Sequence, residues 1–362
     1  MKSKAKQKEE EGGRIDSEEK KVMTVHGPID ASDLGKTSIH EHLVLDLRTW
    51  YAGDEIPERW IANDPINIKM LGRLRRDPFI NKDNLALNDA KAISEELSDF
   101  RKSGGRTVVD CTTAGLGRSP ATLKKISTAA GVQVVSGCGY YTEESYPPWV
   151  KKASVDKVAS EIVRDLTEGM DGTGVRAGLI GEIGLTPAMT EQDRKITRAA
   201  ARAHKQTGAP ILFHQWVPPS SSEGEVALDI LEEEGVKFDR VTMSHSDEKN
   251  LDLSIEFLKR GAYLNFDHFG LEFYWEKYDQ RFICDSERVE KVAELVKRGY
   301  ASRIMLAHDV CLKMQLKRFG GFGYDHILRS CVKMLQNRGV TPAQIDEMLV
   351  KNPARFLPWP CV

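Results

Sequence analysis

The residues best suited to chemistry are two histidines that alternate in a short apolar run. They are His40 and His42, within the sequence SIHEH at 38–42. Side chains two positions apart on a β-strand point to the same side, so both imidazoles could ligate one metal ion. A pair of buried structural histidines fits this spacing equally well. The motif alone leaves both interpretations open.

Four more residues of metal-binding type lie in or at the ends of later apolar runs. His214, His245 and Asp309 end such runs, and Glu182 lies inside one, in the sequence GEIG at 181–184. A buried carboxylate without a partner is costly, and a cation would supply that partner. Imidazole and carboxylate ligands together suit zinc, or else manganese, cobalt or iron. The six residues therefore predict a metal site.

This ligand set predicts a hydrolytic reaction. Two divalent ions about 3.5–4 Å apart can share a hydroxide whose parent water is acidified, and one of them can polarise the substrate's C=O or P=O bond. We expect Glu182 to bridge two ions, and Asp309 to bind one of them and to accept the nucleophile's proton as the catalytic base. The sequence has no GxSxG nucleophile motif and no GxGxxG turn opening a helix near the N-terminus, which argues against a serine hydrolase and a dinucleotide enzyme.

These residues need a framework of strands, and the sequence alternates apolar runs with segments of helical spacing. The predicted strands are Thr37–Leu45, Thr107–Thr112, Val132–Tyr140, Arg176–Ile183, Pro210–His214, Arg240–His245, Ala262–Phe266 and Arg303–Asp309. The predicted helices are Ala121–Ala130, Val155–Gly169, Glu191–Gln206, Glu225–Glu234, Leu253–Gly261, Ser286–Gly299 and Thr341–Phe356. Glycines close several of the helices, as helix C-termini favour.

Eight repeats of strand and helix indicate a parallel α/β fold, and a doubly wound open sheet would also show them. The positions of the polar residues distinguish a barrel from an open sheet. The six candidate ligands fall on strands one, four, five, six and eight, and mostly at their C-terminal ends. Active sites of (β/α)8 barrels lie at that end of the strands. We therefore predict an α/β (β/α)8 TIM barrel with a binuclear metal site at the C-terminal ends of its strands.

Composition limits the classes of partner. The chain has 362 residues and a net charge of −2, so it has no positive surface potential that would attract nucleic acid. Its six cysteines form no CxxC pair. The Lys/Glu/Gly-rich segment 1–21 lacks the apolar stretch of a secretory signal, and no run has the roughly 18 apolar residues of a membrane span. We expect residues 1–21 to be a disordered tail, residues 22–362 to be one barrel domain, and the protein to be cytoplasmic, with a small-molecule substrate and neither nucleic acid nor membrane as partner.

Several segments resemble, in order along the chain, the phosphotriesterase family of the amidohydrolase superfamily. They are residues 24–29, 34–43, 109–113, 137–141, 176–182, 207–210 and 352–353. The resemblance implies two metal ions held by the six residues named above. Members of the family often act as homodimers, so a homodimer is expected here.

The chain also departs from the pattern of that family. Phosphotriesterases and related lactonases bridge their metals with a carboxylated lysine, but residues 176–184 contain no lysine and only one acid, Glu182. In this respect the chain resembles the phosphotriesterase-related branch, some members of which hydrolyse N-acyl amino compounds. Lactonases carry an arginine at the end of strand seven, where this chain has Asp267 and His268. Tyr141 and Cys311 match lactonase pocket residues, and we assign both of them and His268 to substrate binding.

These observations predict a metal-dependent hydrolase of a small ester, lactone or amide, with phosphotriester hydrolysis as a side activity. One alternative is a metal-dependent deoxyribonuclease of the TatD type, which also uses an HxH motif, a GEIG glutamate, two histidines and an aspartate. The chain length, the net charge and the opening motif around residues 27–28 argue against it. A catalytically silent metal-binding protein is the second alternative.

Overall fold

The computed structural model describes residues 20–53, 59–217 and 222–361. Almost all of the predicted tail, residues 1–21, therefore lies outside the described residues. Eight strands form one parallel sheet, and we number them β1 to β8 in chain order. They are β1 Lys36–Glu41, β2 Gly105–Asp110, β3 Gln133–Cys138, β4 Leu179–Gly184, β5 Ile211–His214, β6 Val241–Met243, β7 Tyr263–Phe266 and β8 Ile304–Leu306.

The sheet closes on itself. Each strand pairs in parallel with its neighbours in chain order, from β1 to β8. Beyond β8, the backbone amide of Asp309 donates to the carbonyl of His40 in β1 at 3.2 Å. The buried carboxylate of Glu41 accepts hydrogen bonds from the backbone amides of His308 and Val310. These bonds join the last strand to the first, and the predicted TIM barrel is confirmed.

One main helix follows each strand, and we number these helices α1 to α8. They are α1 Ala90–Lys102, α2 Pro120–Ala130, α3 Val155–Thr167, α4 Glu191–Thr207, α5 Glu223–Glu233, α6 Leu251–Arg260, α7 Asp285–Lys297 and α8 Val332–Asn337. A π-helical turn, Ile327–Cys331, leads into α8. Shorter helical turns lie in the loops, for example Leu71–Leu74 and Pro148–Lys152.

Local sequence explains where several helices begin and end. Asn250 caps α6 by accepting from the backbone amide of Leu253, and Thr190 forms a capping box with Asp193 at the start of α4, as such residues do at N-caps. Gly208 follows α4 with φ of 76°, a left-handed conformation that glycine adopts without strain. The glycines predicted to close helices all have positive φ.

The predicted strands run longer than the observed ones. The first, predicted to reach Leu45, ends at Glu41, because the chain then turns into a separate short pairing of Leu45–Asp46 with Ala86–Leu87. The predicted last helix is observed as a continuous helical run from Pro342 to Phe356 with a π-helical segment at Glu347–Lys351. A hairpin of Tyr274–Trp275 with Gln280–Arg281 was not predicted.

Apolar side chains fill the barrel below the site. They include Ile39, Val109, Val135, Leu179, Leu212 and Met305, all fully buried. A second and larger apolar layer lies between the strands and the surrounding helices. The barrel interior is therefore a packed core, and it holds the side chains at the strand ends in fixed positions. None of the helices formed by the described residues is long and apolar enough to cross a membrane.

Candidate metal centre

All six predicted metal ligands come together at the C-terminal end of the barrel. One group forms around Asp309, which follows β8. Its Oδ1 lies 3.1 Å from Nε2 of His42 and 3.7 Å from Nε2 of His40, both on or next to β1. Glu182 of β4 reaches the same two rings, with each histidine Nε2 3.4 Å from one of its carboxylate oxygens.

A second group shares the carboxylate of Glu182. Nδ1 of His214, the last residue of β5, lies 3.0 Å from Oε2 of Glu182. Nε2 of His245, just beyond β6, lies 2.8 Å from the same Nδ1 atom. Because Glu182 contacts imidazoles of both groups, it lies between them, where a bridging ligand would lie.

Hydrogen bonds on the outer side of the rings orient them inward. Nδ1 of His42 lies 2.9 Å from Oγ1 of Thr112, and Nε2 of His214 lies 3.0 Å from the hydroxyl of Tyr141. Partners of this kind fix the ring orientation and the tautomer of metal-binding histidines. The opposite nitrogens, Nε2 of His42 and Nδ1 of His214, therefore face the centre of the cluster.

One carboxylate that the sequence analysis did not assign holds a histidine of each group. Asp267, directly after β7, accepts from Nδ1 of His40 at 2.8 Å through Oδ2. Its Oδ1 accepts from Nδ1 of His245 at 2.9 Å and from the backbone amide of the same residue at 2.7 Å. The strand-end position of Asp267, beside His268, was a signal that could have identified it.

Two of the six residues have a left-handed backbone conformation. His245 has φ of 57° and Asp309 has φ of 48°, in the left-handed region that residues other than glycine seldom adopt. Such conformations cluster at functional sites, where the surrounding structure maintains them. Both residues lie just beyond the ends of their strands, which are Met243 of β6 and Leu306 of β8.

The electrostatics of the cluster keep its acids ionised. Burial alone would raise the pKa of Glu182 and of Asp309, but the neighbouring imidazoles hold both pKa values well below the usual range. These two carboxylates raise the pKa of His42, although burial opposes this. Burial lowers the pKa of His245 to about 3, so this ring is neutral at pH 7. Ionised carboxylates beside imidazoles favour a cation among them.

An independent observation supports metal binding by this cluster. Nε2 of His40 and Oδ1 of Asp309 are buried and have no hydrogen-bond partner among the described residues. Buried polar atoms are nearly always satisfied, so such exceptions need an explanation. Several sets of three ligand atoms lie close enough to share an ion, and among them are one set from His40, His42 and Asp309 and another from Glu182, His214 and His245. These side chains could hold divalent metal ions.

The three residues assigned to substrate binding all line a pocket that opens onto Asp309. Nε2 of His268 lies 3.5 Å from Oδ2 of Asp309, and its ring stacks on His245 at 4.1 Å. Tyr141 lies over His214, with ring centroids 4.6 Å apart. Burial raises the pKa of the Cys311 thiol, which is therefore protonated at pH 7 and suited to lining the pocket.

Fold and site together define a TIM-barrel hydrolase with a cluster of potential metal ligands at the mouth of the barrel. The chain belongs to the phosphotriesterase family, whose model matches residues 20–357. N-acetyltaurine hydrolase from Tetraodon nigroviridis is 38% identical over 346 residues, which cover 93% of this chain and 97% of that protein.

Two solved structures extend the comparison. A resiniferatoxin-binding protein from Rhodobacter sphaeroides matches with a TM-score of 0.90 and 40% identity, over 93% of this chain and 94% of that one. The phosphotriesterase homology protein from Escherichia coli, complexed with phosphate in its active site, matches with a TM-score of 0.75 and 31% identity, over 90% of this chain and 99% of that one. The family match favours a hydrolase of the phosphotriesterase family over the alternative, a deoxyribonuclease of the TatD type.

Proposed function

We propose that the protein is a binuclear metal-dependent hydrolase that cleaves the amide bond of a small N-acyl amine. In this reaction the C–N bond breaks and a C–O bond forms with the oxygen of water. One product is a carboxylate, and the other is an ammonium group, which carries both protons of the water molecule. The observation that carries the proposal is the position of Glu182, whose carboxylate lies between two groups of inward-facing imidazoles.

The six residues would hold two divalent ions, most simply zinc, with His40, His42 and Asp309 in one group and His214 and His245 in the other. When bound, such ions acidify water and polarise a substrate carbonyl. Glu182 supplies a carboxylate directly, so no modified lysine is needed. Asp267 keeps His40 and His245 in the tautomer that leaves Nε2 free to ligate.

Asp309 is the proposed catalytic base. Its Oδ2 lies 3.5 Å from Nε2 of His268, and Nδ1 of that histidine lies 3.5 Å from Oε1 of the buried Glu248. Burial would lower the pKa of His268, but the neighbouring carboxylates raise it to about 10, so this ring is already protonated at pH 7. It would keep Asp309 ionised as the base and leave Asp309 to pass the proton to the departing amine. Tyr141 and His268 stand at the pocket wall, where they would position the substrate.

We propose an amide as the main substrate, and not an ester or a lactone, because of the activity for which the relatives are named. The proteins that match over 93% of this chain include several named N-acetyltaurine hydrolase. Lactones, esters and phosphotriesters are the secondary substrates, as expected from the family. The predicted homodimer and the cytoplasmic location stay predictions, and sedimentation analysis tests the first of them.

A hydrolysis panel tests the proposed function. Protein loaded with zinc or manganese is compared with chelated protein on an N-acyl amine, an aryl ester, a lactone and an aryl phosphotriester. We expect the highest kcat/KM for the amide, its loss on chelation and its recovery with metal. Glu182→Gln should abolish turnover, whereas Asp193→Asn, a buried substitution at the capping box of α4, should retain it. Amide turnover that survives complete metal removal would contradict the proposal.

A further inference from the structure

The loop that follows β6 carries the candidate metal ligand His245, and we call residues 245–249 the β6 loop. Two of its later members, Asp247 and Glu248, are carboxylates that are almost completely buried. Buried carboxylates are costly unless they are paired and hydrogen-bonded. Their partners therefore show what holds the loop in place, and His245 with it.

The guanidinium group of Arg288 pairs with both carboxylates. Arg288 lies in the first turn of α7 and is fully buried. Its Nε donates to Oδ2 of Asp247 at 2.8 Å, and its Nη2 donates to Oε1 of Glu248 at 2.9 Å. Arginine presents its donors in a rigid planar fork, which suits several acceptors in fixed positions. These bonds tie α7 to the β6 loop.

The same guanidinium group also reaches the loop after β7. Its Nη2 donates to the carbonyl of Leu271 at 2.9 Å. Its Nη1 donates to Oδ1 of Asp285 at 3.2 Å, and that oxygen also accepts from the backbone amide of Gly270 at 2.9 Å. One side chain therefore links the loop that carries His245 to the loop that carries His268.

The two carboxylates held by Arg288 also contact His268. Oδ2 of Asp247 accepts from the backbone amide of His268 at 3.2 Å. Oε1 of Glu248 lies 3.5 Å from Nδ1 of the same histidine, whose Nε2 lies 3.5 Å from Oδ2 of Asp309. Arg288 itself does not line the pocket. Its contact with the site therefore runs through the carboxylates that it holds.

A second cation, one turn later on α7, holds the backbone of the β6 loop. The ammonium group of Lys291 donates to the carbonyls of Asp247 at 2.6 Å and of Lys249 at 3.0 Å. Within the loop, the amide of Glu248 donates to the carbonyl of His245 at 3.1 Å. The left-handed backbone conformation of His245 persists only if its surroundings maintain it, and these bonds are part of those surroundings.

We propose that Arg288 and Lys291 are positioning residues for the metal site, because they hold the β6 loop in place and His245 with it. This inference rests on the proposed function for the ligand role of His245, and on the hydrogen bonds from α7 for the positioning. Without the guanidinium group, two neighbouring carboxylates of the loop would lose their buried cation. The loop would then shift, and the imidazole of His245 would move from the place where a metal ion can bind it.

Arg288→Lys tests the proposal, since it keeps a cation beside the carboxylates but loses the planar fork. Zinc affinities are measured by competition against a chromophoric chelator, at a temperature where circular dichroism shows each protein to be folded. We expect one of the two zinc ions to bind about tenfold more weakly, the lower end of the effect of removing a partner of a metal-binding histidine. In cobalt-substituted protein the visible absorption spectrum should change, because the ligands around one ion move.

Arg118→Lys is the matched control. The side chain of Arg118 is 3% exposed and also pairs with two carboxylates, those of Asp165 at 2.8 Å and Asp171 at 2.7 Å. These residues do not line the pocket. The control should lower the free energy of unfolding and leave both zinc affinities and the cobalt spectrum unchanged. Equal weakening of zinc binding in both variants would show a general effect of stability and would overturn the inference.

The remaining outcomes distinguish this inference from the proposed function. If the unmodified protein binds no zinc, the proposed function is refuted. The positioning is then measured in metal-free protein by long-range proton–nitrogen NMR spectra of the imidazoles, in which the resonances of His245 and His268 should shift in Arg288→Lys and not in Arg118→Lys. If the unmodified protein binds two ions and Arg288→Lys binds them equally tightly, with an unchanged cobalt spectrum, the inference is overturned.

Lys291→Met gives a second test, which also serves if Arg288→Lys does not fold. Because Lys291 donates to backbone carbonyls of the loop, its removal leaves the ion pairs of Arg288 in place. We expect one zinc ion to bind about 2- to 10-fold more weakly, since a single hydrogen bond contributes on this order. Unchanged zinc affinity in Lys291→Met would overturn the inference that α7 positions the loop.

Discussion

Asp267 offers the sharpest test of how the site is assembled. Its carboxylate is fully buried and uses one oxygen for Nδ1 of His40 and the other for Nδ1 of His245. In Asp267→Asn the amide has one oxygen and one NH2 group. Whichever way the amide is turned, one imidazole N–H then meets another donor. At least one of the two histidines must therefore rotate or change tautomer.

The expected consequence is a loss of metal affinity. Removing the partner of a metal-binding histidine typically lowers affinity about 10- to 100-fold, which corresponds to about 1.4–2.7 kcal/mol per site. The assay is competition for zinc against a chromophoric chelator, with metal content checked by mass spectrometry. We expect one site of Asp267→Asn to weaken by at least the lower figure.

A matched control separates this effect from a general loss of stability. Asp193 is equally buried and accepts hydrogen bonds from Thr186 and from the backbone amide of Thr190, at the start of α4. Asp193→Asn should destabilise the fold and leave zinc affinity unchanged. If Asp267→Asn keeps both ions as tightly as the unmodified protein, the proposed role of Asp267 is refuted.

Three other predictions address different parts of the molecule. In the proposed site Glu182 takes the place of the carboxylated lysine of phosphotriesterases, so recovery of activity with metal should not depend on added bicarbonate, and a strict dependence would point to a lysine ligand. Burial lowers the pKa of His204, so below about pH 6.5 the unfolded chain binds a proton that the folded chain does not. The free energy of unfolding should fall as pH decreases through that window, by up to about 1.4 kcal/mol per pH unit. His204→Asn should flatten this slope in urea titrations, the exposed His26→Asn should not, and equal slopes in all three proteins would contradict the assignment. Lys249→Met leaves the Glu223 carboxylate buried without its cation and should lower the free energy of unfolding by about 3–5 kcal/mol. The double variant Lys249→Met/Glu223→Leu should regain most of that loss, and a single variant as stable as the unmodified protein would show that the pair is not important for stability.

The barrel could be predicted from the sequence because strands and helices alternate with clear local signals. The glycines after helices and the apolar runs between them mark eight units, and the hydrogen bond from Asp309 to His40 shows how the last unit meets the first. The candidate ligands could be listed for the same reason, since each lies within an apolar run or at its end. Strand ends are where a barrel gathers its polar side chains.

The contacts between residues of different loops could not be predicted from the sequence. Asp267 was passed over because its two partners, His40 and His245, are distant in the chain and only the closed barrel brings them together. Trp216, in the loop after β5, packs against Trp50 and Trp275, which come from the loops after β1 and β7. The conformation of such loops depends on contacts that a local pattern does not encode.

The central claim is that Glu182 joins two metal ions held by the five other ligands. The most direct measurement is a crystal structure of the zinc-loaded protein with anomalous data collected at the zinc edge. We expect two anomalous peaks at the mouth of the barrel, with one carboxylate oxygen of Glu182 at ligand distance from each. A single peak, peaks away from His40, His42, His214, His245 and Asp309, or a lysine between the two ions would contradict it.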